Sequence, residues 1–407
     1  MHVLLVSQHF WPEQFKCNDV ARELVARGHR VTVLTGLPNY PGGRIFEGFG
    51  FFRRLTEERE GYRIVRSWVV PRGRGGAVRL ALNYASFVLT GTLRALWLTR
   101  RERFDAVLVH ETSPVTVGVP AVVAARRQRV PLYFWVLDLW PESLTAAGGV
   151  TSPAVLRFFT RLTCWIYDHS RRILLSSRGF RRSILEKGDY ADRLVYFPNW
   201  ADRALSAKVD YALPPLPAGF TVMFAGNIGE AQDFEHIVAA ADLLRGEPDL
   251  HFVLVGDGRK RPWVEAEVAR RGLAPTVHLV GRHPLEAMPL FFARADVMLV
   301  TLKDELIFNL TAPAKLQAYM SAGRPVAAMA NGETRDLVAE ARCGLSVAAG
   351  DARGLADALL RLKRMPAAQR EALGENGRSY CREHFDLDGA MDRLCRLLED
   401  DVRSPQS

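Results

Sequence analysis

The sequence lacks the patterns by which a chain usually holds a structural metal or a disulfide framework. Its cysteines are odd in number and far apart, and none stands in a Cys-x-x-Cys or Cys/His ligand spacing. No Asp-x-Asp metal motif stands at a convincing strand end. We interpret the thiols as reduced and mostly structural, as in a cytosolic protein without a zinc site. They are Cys17, Cys164, Cys343, Cys381 and Cys395.

The sequence also has no low-complexity, Ser-rich or repeated segment. Its residues are 48% hydrophobic and 24% charged, which is typical of a globular protein. A chain of 407 residues exceeds what one hydrophobic core usually serves, which predicts two domains. The N-terminal segment MHVLLVSQHFWPE has too few apolar residues and no basic start for a signal peptide. We expect it to form the first β-strand.

Long hydrophobic runs are scarce, and the single exception is LALNYASFVLTGTLRALWL, residues 80–98. Asn83 and Arg94 interrupt it, and an Arg inside a membrane span costs about 2.5–3.5 kcal/mol on insertion scales. Two interpretations remain, a core helix with solvated ends or a helix lying at a membrane surface. Basic residues bracket the run: Arg72, Arg74 and Arg79 precede it, and Arg100, Arg101 and Arg103 follow.

Acidic residues are few in the first half of the chain. Residues 1–200 hold 29 basic against 16 acidic residues, a formal charge of +13, whereas residues 201–407 carry −4. The positive charge of the first half can attract a negatively charged partner, which is a nucleic acid, an anionic lipid headgroup or a substrate with a diphosphate. Because no nucleic-acid-binding motif accompanies the charge, we expect no nucleic acid partner.

Short apolar runs such as HVLLVS and DAVLVH alternate with helical patterns along both halves. Continuous apolar strands with helical crossovers predict parallel sheets buried on both faces, hence two Rossmann-like α/β domains in tandem. The junction is predicted at residues 197–218, where Pro becomes dense and periodicity stops.

Two segments of the second half suggest an anion site. In TVMFAGNIGEAQDFEHIV a strand, a glycine turn and a helix follow one another, and Gly226 and Gly229 allow a phosphate to approach the backbone. A second turn contains Gly256. In LTAPAKLQ, Thr311 and Pro313 predict a helix start whose amides face an anion, with Lys315 in its first turn.

Together these segments resemble family 4 glycosyltransferases over essentially the whole chain. The similarity is strongest to the branch containing L-fucosamine transferases of O-antigen assembly and related capsule and exopolysaccharide enzymes. The segments that carry it are SQHFWPEQFKCNDVARELVARGHRVTVLTGLPNYPGG, FWVLDLWPESL, VYFPNWAD, FAGNIGEAQDFEHIV, PAKLQAYMSAGRPV and CGLSVAAGD.

The resemblance implies a GT-B fold of two Rossmann-like domains facing a cleft. It assigns residues 1–200 to acceptor binding, 201–385 to the nucleotide sugar, and 386–407 to a helix that returns to the first domain. It also implies a retaining, metal-independent transfer without a cofactor, from a UDP-linked sugar, possibly an N-acetylated hexosamine, to a glycan or lipid-linked acceptor. We expect a cytoplasmic enzyme, peripheral on the inner face of the plasma membrane.

The chain departs from the family pattern at the donor site. The family commonly has Arg and Lys after its phosphate-turn glycine and a later Glu-x7-Glu pair, where this chain has Asn227, Gln232, Leu310 and Ala318. We hypothesise that Thr311, Lys315 and Gln317 take over part of that work. The donor-binding candidates are then Gly226, Asn227, Gly229, Gln232, Gly256, Arg282, Thr311 and Gln317, with Lys315 as a catalytic group.

In the first half, Asp138 follows a strand at the position where related enzymes carry a His, and its carboxylate can accept a hydrogen bond from a sugar hydroxyl. Glu142 and Glu111 are further catalytic candidates, and His110 is assigned to the acceptor side. Lys16 and Asn18 replace a glycine pair of the family, and we predict that they also face the acceptor.

Two other functions stay open. A nucleotide-sugar 2-epimerase shares the implied fold, and a nucleotide-sugar-binding protein without catalysis would tolerate the loss of both Glu residues. An epimerase has no need of the basic, apolar surface predicted in the first half, so vesicle binding and donor hydrolysis separate the three.

Overall fold

The computed structural model describes residues 1–73, 76–206 and 209–403, so Arg74 lies outside the described residues. The chain divides into two compact units. Unit 1 comprises Met1–Pro198 and Asp388–Ser407, and unit 2 comprises Asn199–Leu387. The chain thus leaves unit 1 at Pro198, inside the segment 197–218.

Unit 1 is built on an eight-stranded sheet. Its strands are β1 (His2–Val6), β2 (Arg30–Gly36), β3 (Thr56–Arg59), β4 (Tyr62–Ser67), β5 (Ala106–Glu111), β6 (Leu132–Val136), β7 (Arg172–Leu175) and β8 (Leu194–Tyr196). Its first helices are α1 (Lys16–Ala26), α2 (Ala77–Arg101), α3 (Gly118–Gln128), α4 (Glu142–Gly148), α5 (Pro153–Asp168) and α6 (Phe180–Leu185).

The order of this sheet is β3-β4-β2-β1-β5-β6-β7-β8, and every pair is parallel except β3 with β4. From β1 the chain builds the sheet in one direction as far as β3 and β4, and then it returns to add β5 on the other side of β1. In doubly wound sheets this reversal opens a crevice at the carboxyl ends of the strands, where ligands bind. In unit 1 the crevice lies between β1 and β5.

Unit 2 is built on a six-stranded parallel sheet of order β11-β10-β9-β12-β13-β14. Its strands are β9 (Phe220–Ala225), β10 (Leu250–Val255), β11 (Val277–Gly281), β12 (Val297–Thr301), β13 (Val326–Met329) and β14 (Gly344–Val347). Its helices are α7 (Phe234–Leu243), α8 (Arg261–Arg270), α9 (Met288–Ala293), α10 (Leu306–Leu310), α11 (Ala314–Ser321), α12 (Gly332–Glu340), α13 (Ala352–Arg364) and α14 (Ala367–His384). Here the strand order reverses between β9 and β12.

Continuous apolar strands explain both sheets. All residues of β1, β9 and β12 are buried. Because successive side chains of a strand point to opposite faces, Val222 and Phe224 of β9 enter one hydrophobic core while Met223 and Ala225 enter the other. The predicted doubly wound α/β architecture is therefore confirmed.

The apolar run at residues 80–98 lies in the single helix α2. One face is buried through Phe87, Ala95 and Leu98, and Asn83 is buried too, where it accepts a hydrogen bond from Gln8 (2.7 Å) and donates one to the carbonyl of Val70 (2.6 Å). Within the part of the chain that the structure describes, no helix is both long and apolar enough to span a membrane.

The C-terminal segment CREHFDLDGAMDRLCRLLED is divided between two helices, and the second lies within residues 386–407, where a returning helix was expected. Helix α14 ends at His384, and a new helix, α15 (Leu387–Arg403), begins directly after Asp386. Phe385 is buried at the break, and Asp is a residue type that favours the position before a helix. Helix α15 packs on unit 1, where Asp401 pairs with Arg172 (2.9 Å).

Candidate active-site regions of the two units

The glycine turns of unit 2 fit closely against each other. Gly226 follows β9 and Gly256 follows β10, both with φ near +145°. A Cβ on Gly256 would lie 1.9 Å from the carbonyl oxygen of Gly226, and one on Gly229 would lie 2.5 Å from the Asn227 amide nitrogen. Gly256 is thus required for packing within the protein, whereas at position 229 the Asn227 side chain could move away from an added Cβ. A Cβ on Gly226 would instead approach the Lys315 ammonium group, at 3.5 Å.

Lys315 is the central cation of this region. Its ammonium group donates a hydrogen bond to the Gln232 side-chain oxygen and lies 4.0 Å from the centre of the Phe224 ring. In the part of unit 2 that the structure describes, no carboxylate pairs with it. Burial lowers the pKa of Lys315 to about 7. A desolvated cation without a counter-ion beside a glycine turn is the arrangement expected of a phosphate site.

The other donor candidates are placed less favourably for contact with a ligand. The Thr311 hydroxyl is tied to the carbonyl of Ile307 (2.7 Å), at the end of α10. Gln317 is 1% exposed, and neither atom of its amide finds a hydrogen-bond partner among the described residues. Arg282 is exposed directly after the edge strand β11, two strands away from β9. Their donor-binding roles stay predictions.

Two lysines that sequence reasoning did not assign lie at the same edge of the sheet. Lys260 pairs with Glu235 (2.6 Å) and Glu230 (3.2 Å), and Lys303, just after β12, shares Glu230 (3.2 Å). Both lysines lie beside the glycine turn, because their backbone N–H groups donate to the carbonyls of Ile228 and Ala231. The VGDGRKRP turn was a visible signal for Lys260, whereas Lys303 becomes adjacent only through the β9–β12 pairing.

At the crevice of unit 1, His110 and Glu111 are buried at the end of β5. Burial lowers the pKa of His110 to about 3, so the imidazole is neutral, and its Nδ1 lies 3.3 Å from the Ser7 hydroxyl. Glu111 accepts a hydrogen bond from the backbone N–H of Asp138 (3.2 Å), and burial raises its pKa. Glu111 thus helps to position the backbone at Asp138, and the catalytic role of Glu111 and the acceptor-side role of His110 stay predictions.

Asp138 is largely surrounded by protein two residues after β6. It accepts a hydrogen bond from the Ser143 hydroxyl, and Ser113 is also within hydrogen-bonding reach. Burial raises the pKa of Asp138 despite these donors. Ser113 has φ +106°, a conformation that residues with a side chain rarely adopt and that is concentrated at functional sites.

Three further candidates of unit 1 are engaged in local structure. Glu142 accepts hydrogen bonds from Lys187 and from the Ser183 hydroxyl (2.6 Å), which joins α4 to α6. Asn18 accepts from the backbone N–H of Trp11 (3.1 Å) and donates to the carbonyl of Glu13 (2.7 Å), so it fixes the loop before α1. Lys16 is the first residue of α1. No contact tests the acceptor-side role of Lys16 or Asn18, or the catalytic role of Glu142.

Sequence reasoning missed a polar cluster beside this crevice. Glu13 accepts hydrogen bonds from the backbone N–H groups of Asn39 (2.7 Å) and Tyr40 (2.6 Å), and its other oxygen lies 3.0 Å from His9 Nδ1. Among the described residues, His9 Nε2 has no partner. The segments SQHFWPE and PNY contained these residues, but only the folding of the 37–41 loop onto Glu13 reveals that they act together.

Two family descriptions match the chain. Residues 16–200 match "Glycosyl transferase 4-like domain", and residues 219–364 match "Glycosyl transferases group 1". The two matches correspond to unit 1 and unit 2.

Individual proteins show the same similarity. The colanic acid biosynthesis glycosyl transferase WcaI of Escherichia coli (strain K12) is 26% identical over 337 residues, which cover 79% of this chain and 82% of that protein. Among solved structures, sucrose-phosphate synthase from Thermosynechococcus elongatus superposes with a TM-score of 0.76 at 18% identity, covering 99% of both chains. HepE from Anabaena, in complex with UDP, has a TM-score of 0.72 at 15% identity, covering 98% of this chain and 100% of its own.

Proposed function

The chain is a group 1 glycosyltransferase with the GT-B fold, and from that premise we propose that it extends a cell-surface polysaccharide. The donor in this proposal is a UDP-linked sugar, an N-acetylated hexosamine in particular, and the acceptor is a glycan or a lipid-linked sugar. The UDP bound to HepE and the colanic acid name of WcaI support these choices, as does the resemblance to the L-fucosamine transferase branch. The observation that carries the proposal is the uncompensated Lys315 beside Gly226.

Charge development explains how this region would act. Breaking a glycosyl phosphate bond leaves positive charge on the sugar and negative charge on the departing diphosphate. Lys315, with the backbone amides that begin α11, would stabilise that negative charge without requiring a metal ion. Asp138 of unit 1 would accept a hydrogen bond from a sugar hydroxyl. In this proposal the transferred sugar retains its anomeric configuration, because the acceptor attacks from the face that the diphosphate leaves. The leaving phosphate accepts the proton of the acceptor hydroxyl.

The pKa of Lys315 leads to a test by pH. A bound diphosphate favours the charged ammonium form, so its pKa rises on binding and the complex takes up a proton. UDP affinity is therefore highest below the free pKa of about 7, and it is lost as the pH rises above that value. Between pH 7 and pH 9 we expect it to fall about tenfold or more.

Calorimetry with UDP in buffers of different ionisation enthalpy measures both the affinity and the proton uptake. The Lys315→Met variant should bind UDP weakly at every pH in this range and take up no proton. A wild-type affinity that stays constant from pH 7 to pH 9 would contradict the assignment of Lys315 to the diphosphate.

We further propose that unit 1 binds an anionic membrane surface through α2, as a cytoplasmic, peripheral enzyme would. In addition to its buried face, α2 has an exposed apolar stripe. Each residue of the stripe has 49–75% of its surface accessible to solvent: Val78, Leu82, Leu89 and Leu93. Arg100 and Arg101 are exposed at its end. An apolar stripe with neighbouring arginines fits an interface of lipid chains and anionic headgroups.

Arg72 and Arg74 are among the basic residues that bracket this helix, so substitution at these positions is an obvious test of the surface. Arg72 is unsuitable, because its guanidinium group lies over the Tyr40 ring (5.2 Å) and donates to the Tyr84 hydroxyl (3.2 Å). Arg74 lies outside the described residues. The exposed side chains of α2 are the appropriate targets.

Wild-type protein should bind vesicles containing phosphatidylserine, and binding should weaken as salt rises, because each exposed Arg near the surface contributes about 1 kcal/mol that salt screens. The variant Leu89→Gln/Leu93→Gln/Arg100→Gln/Arg101→Gln should lose at least tenfold in partition. A control with Leu243→Gln and Leu285→Gln removes exposed leucines from unit 2 and should bind as the wild type does. Equal co-sedimentation of all three proteins at low salt would contradict membrane binding through α2.

A further inference from the structure

One carboxylate oxygen of Glu230 lies between two ammonium groups of unit 2. This oxygen, Oε2, is 3.2 Å from Nζ of Lys260 and 3.2 Å from Nζ of Lys303. The hydrogen bonds from Lys303 and Lys260 hold the pKa of Glu230 below its usual range. Two ammonium groups that share one carboxylate oxygen are equally suited to share an oxygen of a phosphate.

The three side chains of this bridge are held with different firmness. The backbone N–H of Lys260 donates to the carbonyl of Ile228 (3.0 Å), and that of Lys303 donates to the carbonyl of Ala231 (3.0 Å). Both lysines are thus anchored to the glycine turn, and their side chains are 14% and 30% exposed, whereas that of Glu230 is 65% exposed. Because an exposed ion pair contributes only about 0.2–1 kcal/mol, Glu230 can leave the lysines at small cost.

The bridge lies next to the proposed diphosphate site. Two residues after Glu230, the side chain of Gln232 accepts the hydrogen bond from Lys315. Lys303 follows β12 and Gly226 follows β9, the two strands between which the strand order of unit 2 reverses. A diphosphate carries more than one negative charge, so Lys315 alone does not neutralise it. The neighbouring lysines supply the charge that is lacking only when Glu230 releases them.

A second carboxylate of the cluster, Glu235, is the less suitable one to exchange. It lies in the first turn of α7, where the helix dipole favours a negative charge. Its Oε1 is 2.6 Å from Nζ of Lys260 but 4.0 Å from Nζ of Lys303. Among the described residues, Glu230 is therefore the close carboxylate partner of Lys303, and its departure would leave that ammonium group available to a ligand.

We propose that Glu230 is an exchangeable internal anion, which holds Lys260 and Lys303 until a phosphate of the nucleotide displaces it and which returns to them as the nucleotide leaves. This rests on the proposed transferase function, in which the nucleotide is UDP or a UDP-linked sugar. Competition from Glu230 weakens the binding of the product UDP. The exchange thereby promotes product release, a step that limits turnover in many enzymes.

The test is calorimetric binding of UDP and of inorganic pyrophosphate at low salt. Glu230→Gln should bind both ligands about threefold more tightly than the wild type, because the lysines no longer have to be released. Lys303→Met should bind both more weakly. The matched control is Glu247→Gln, which makes the same change of charge at a carboxylate that pairs with Lys363 (2.7 Å) and precedes β10, at the other edge of the sheet. It should bind as the wild type does.

A double-mutant cycle separates exchange from general repulsion of the ligand. In the Lys260→Met/Lys303→Met background, Glu230→Gln should leave both affinities unchanged, because no lysine remains to be released. A gain in affinity that persists in this background would overturn the proposal. Equal affinities of wild type and Glu230→Gln, with unchanged melting temperatures, would overturn it as well and would make the bridge an ordinary surface ion pair.

The two ligands distinguish this proposal from the proposed function. If UDP binding depends on Lys315 but is not strengthened in Glu230→Gln, the exchange is refuted and the nucleotide site stands. If pyrophosphate shows the predicted gain while UDP binds to none of the proteins, the exchange stands and the UDP-linked donor is refuted. If neither ligand binds to any of the proteins, both proposals fail.

Discussion

Replacing Lys315 by Met should reduce turnover at least tenfold, which corresponds to about 1.4 kcal/mol of lost transition-state stabilisation. The Met side chain retains the apolar stem beside Phe224 and removes the ammonium group that lies beside Gly226. Lys315→Ala should show the same loss. Initial rates at saturating donor, measured with purified and normally folded protein, check this expectation.

The same substitution should stabilise the fold at neutral pH. The free pKa of Lys315, about 7, lies below the ordinary value near 10.4, so the folded protein disfavours the charged form. This destabilisation is complete below pH 7, and it disappears when the pH exceeds the pKa that Lys315 has in the unfolded chain. Replacing Lys315 by Met should therefore raise the free energy of unfolding at pH 7 by on the order of 1 kcal/mol. A function-related lysine is expected to show this opposition between stability and activity.

Lys363→Met is the matched control, because it removes a lysine of the same unit that pairs with Glu247 (2.7 Å). It should leave turnover unchanged and should not stabilise the protein. Unchanged kinetics of a soluble, normally melting Lys315→Met variant would remove Lys315 from the site.

Replacing Asp138 by Asn should lower turnover at least tenfold while leaving UDP affinity unchanged. The amide still accepts a hydrogen bond from Ser143, but it no longer offers a carboxylate to a sugar hydroxyl. Because Asp138 belongs to unit 1 and the proposed UDP site to unit 2, the loss should fall on the transfer step.

Asp192→Asn, which alters an exposed carboxylate of unit 1, should behave as the wild type does. Turnover and UDP calorimetry on the three proteins give the comparison. A large loss of UDP affinity in Asp138→Asn would show that this carboxylate has been assigned to the wrong ligand.

The sequence predicted the two sheets because buried parallel strands leave a local signal, a continuous apolar run such as HVLLV or FTVMFA. It did not indicate the hairpin of β3 and β4 or the short helix α10. The strand β3 reads TEER, has no buried residue and is defined by its pairing with β4 at the sheet edge. Such elements depend on tertiary contacts rather than on a periodic pattern.

Some residues of the candidate sites could likewise be recognised from the local sequence, whereas others could be recognised only from tertiary contacts. Lys315 and Asp138 could be named because a helix start and a strand end are readable from local residues. Arg72 was instead counted with the basic flank of α2, since its proximity to Tyr40 arises from the loop that Glu13 fixes. Glu142 carries a suitable charge, but its pairing with Lys187 depends on residues that are distant in the sequence.

The central claim is tested most directly by mass spectrometry of products after incubation with a panel of UDP-sugars and isoprenoid diphosphate-linked acceptors. We predict one new product, heavier than the acceptor by one N-acetylhexosamine residue, formed by the wild type and strongly reduced with Lys315→Met. If every acceptor is recovered unchanged, the transferase proposal is contradicted. If in addition proton NMR of the recovered donor shows the 2-epimer, which has the same mass as the donor, the chain is an epimerase instead.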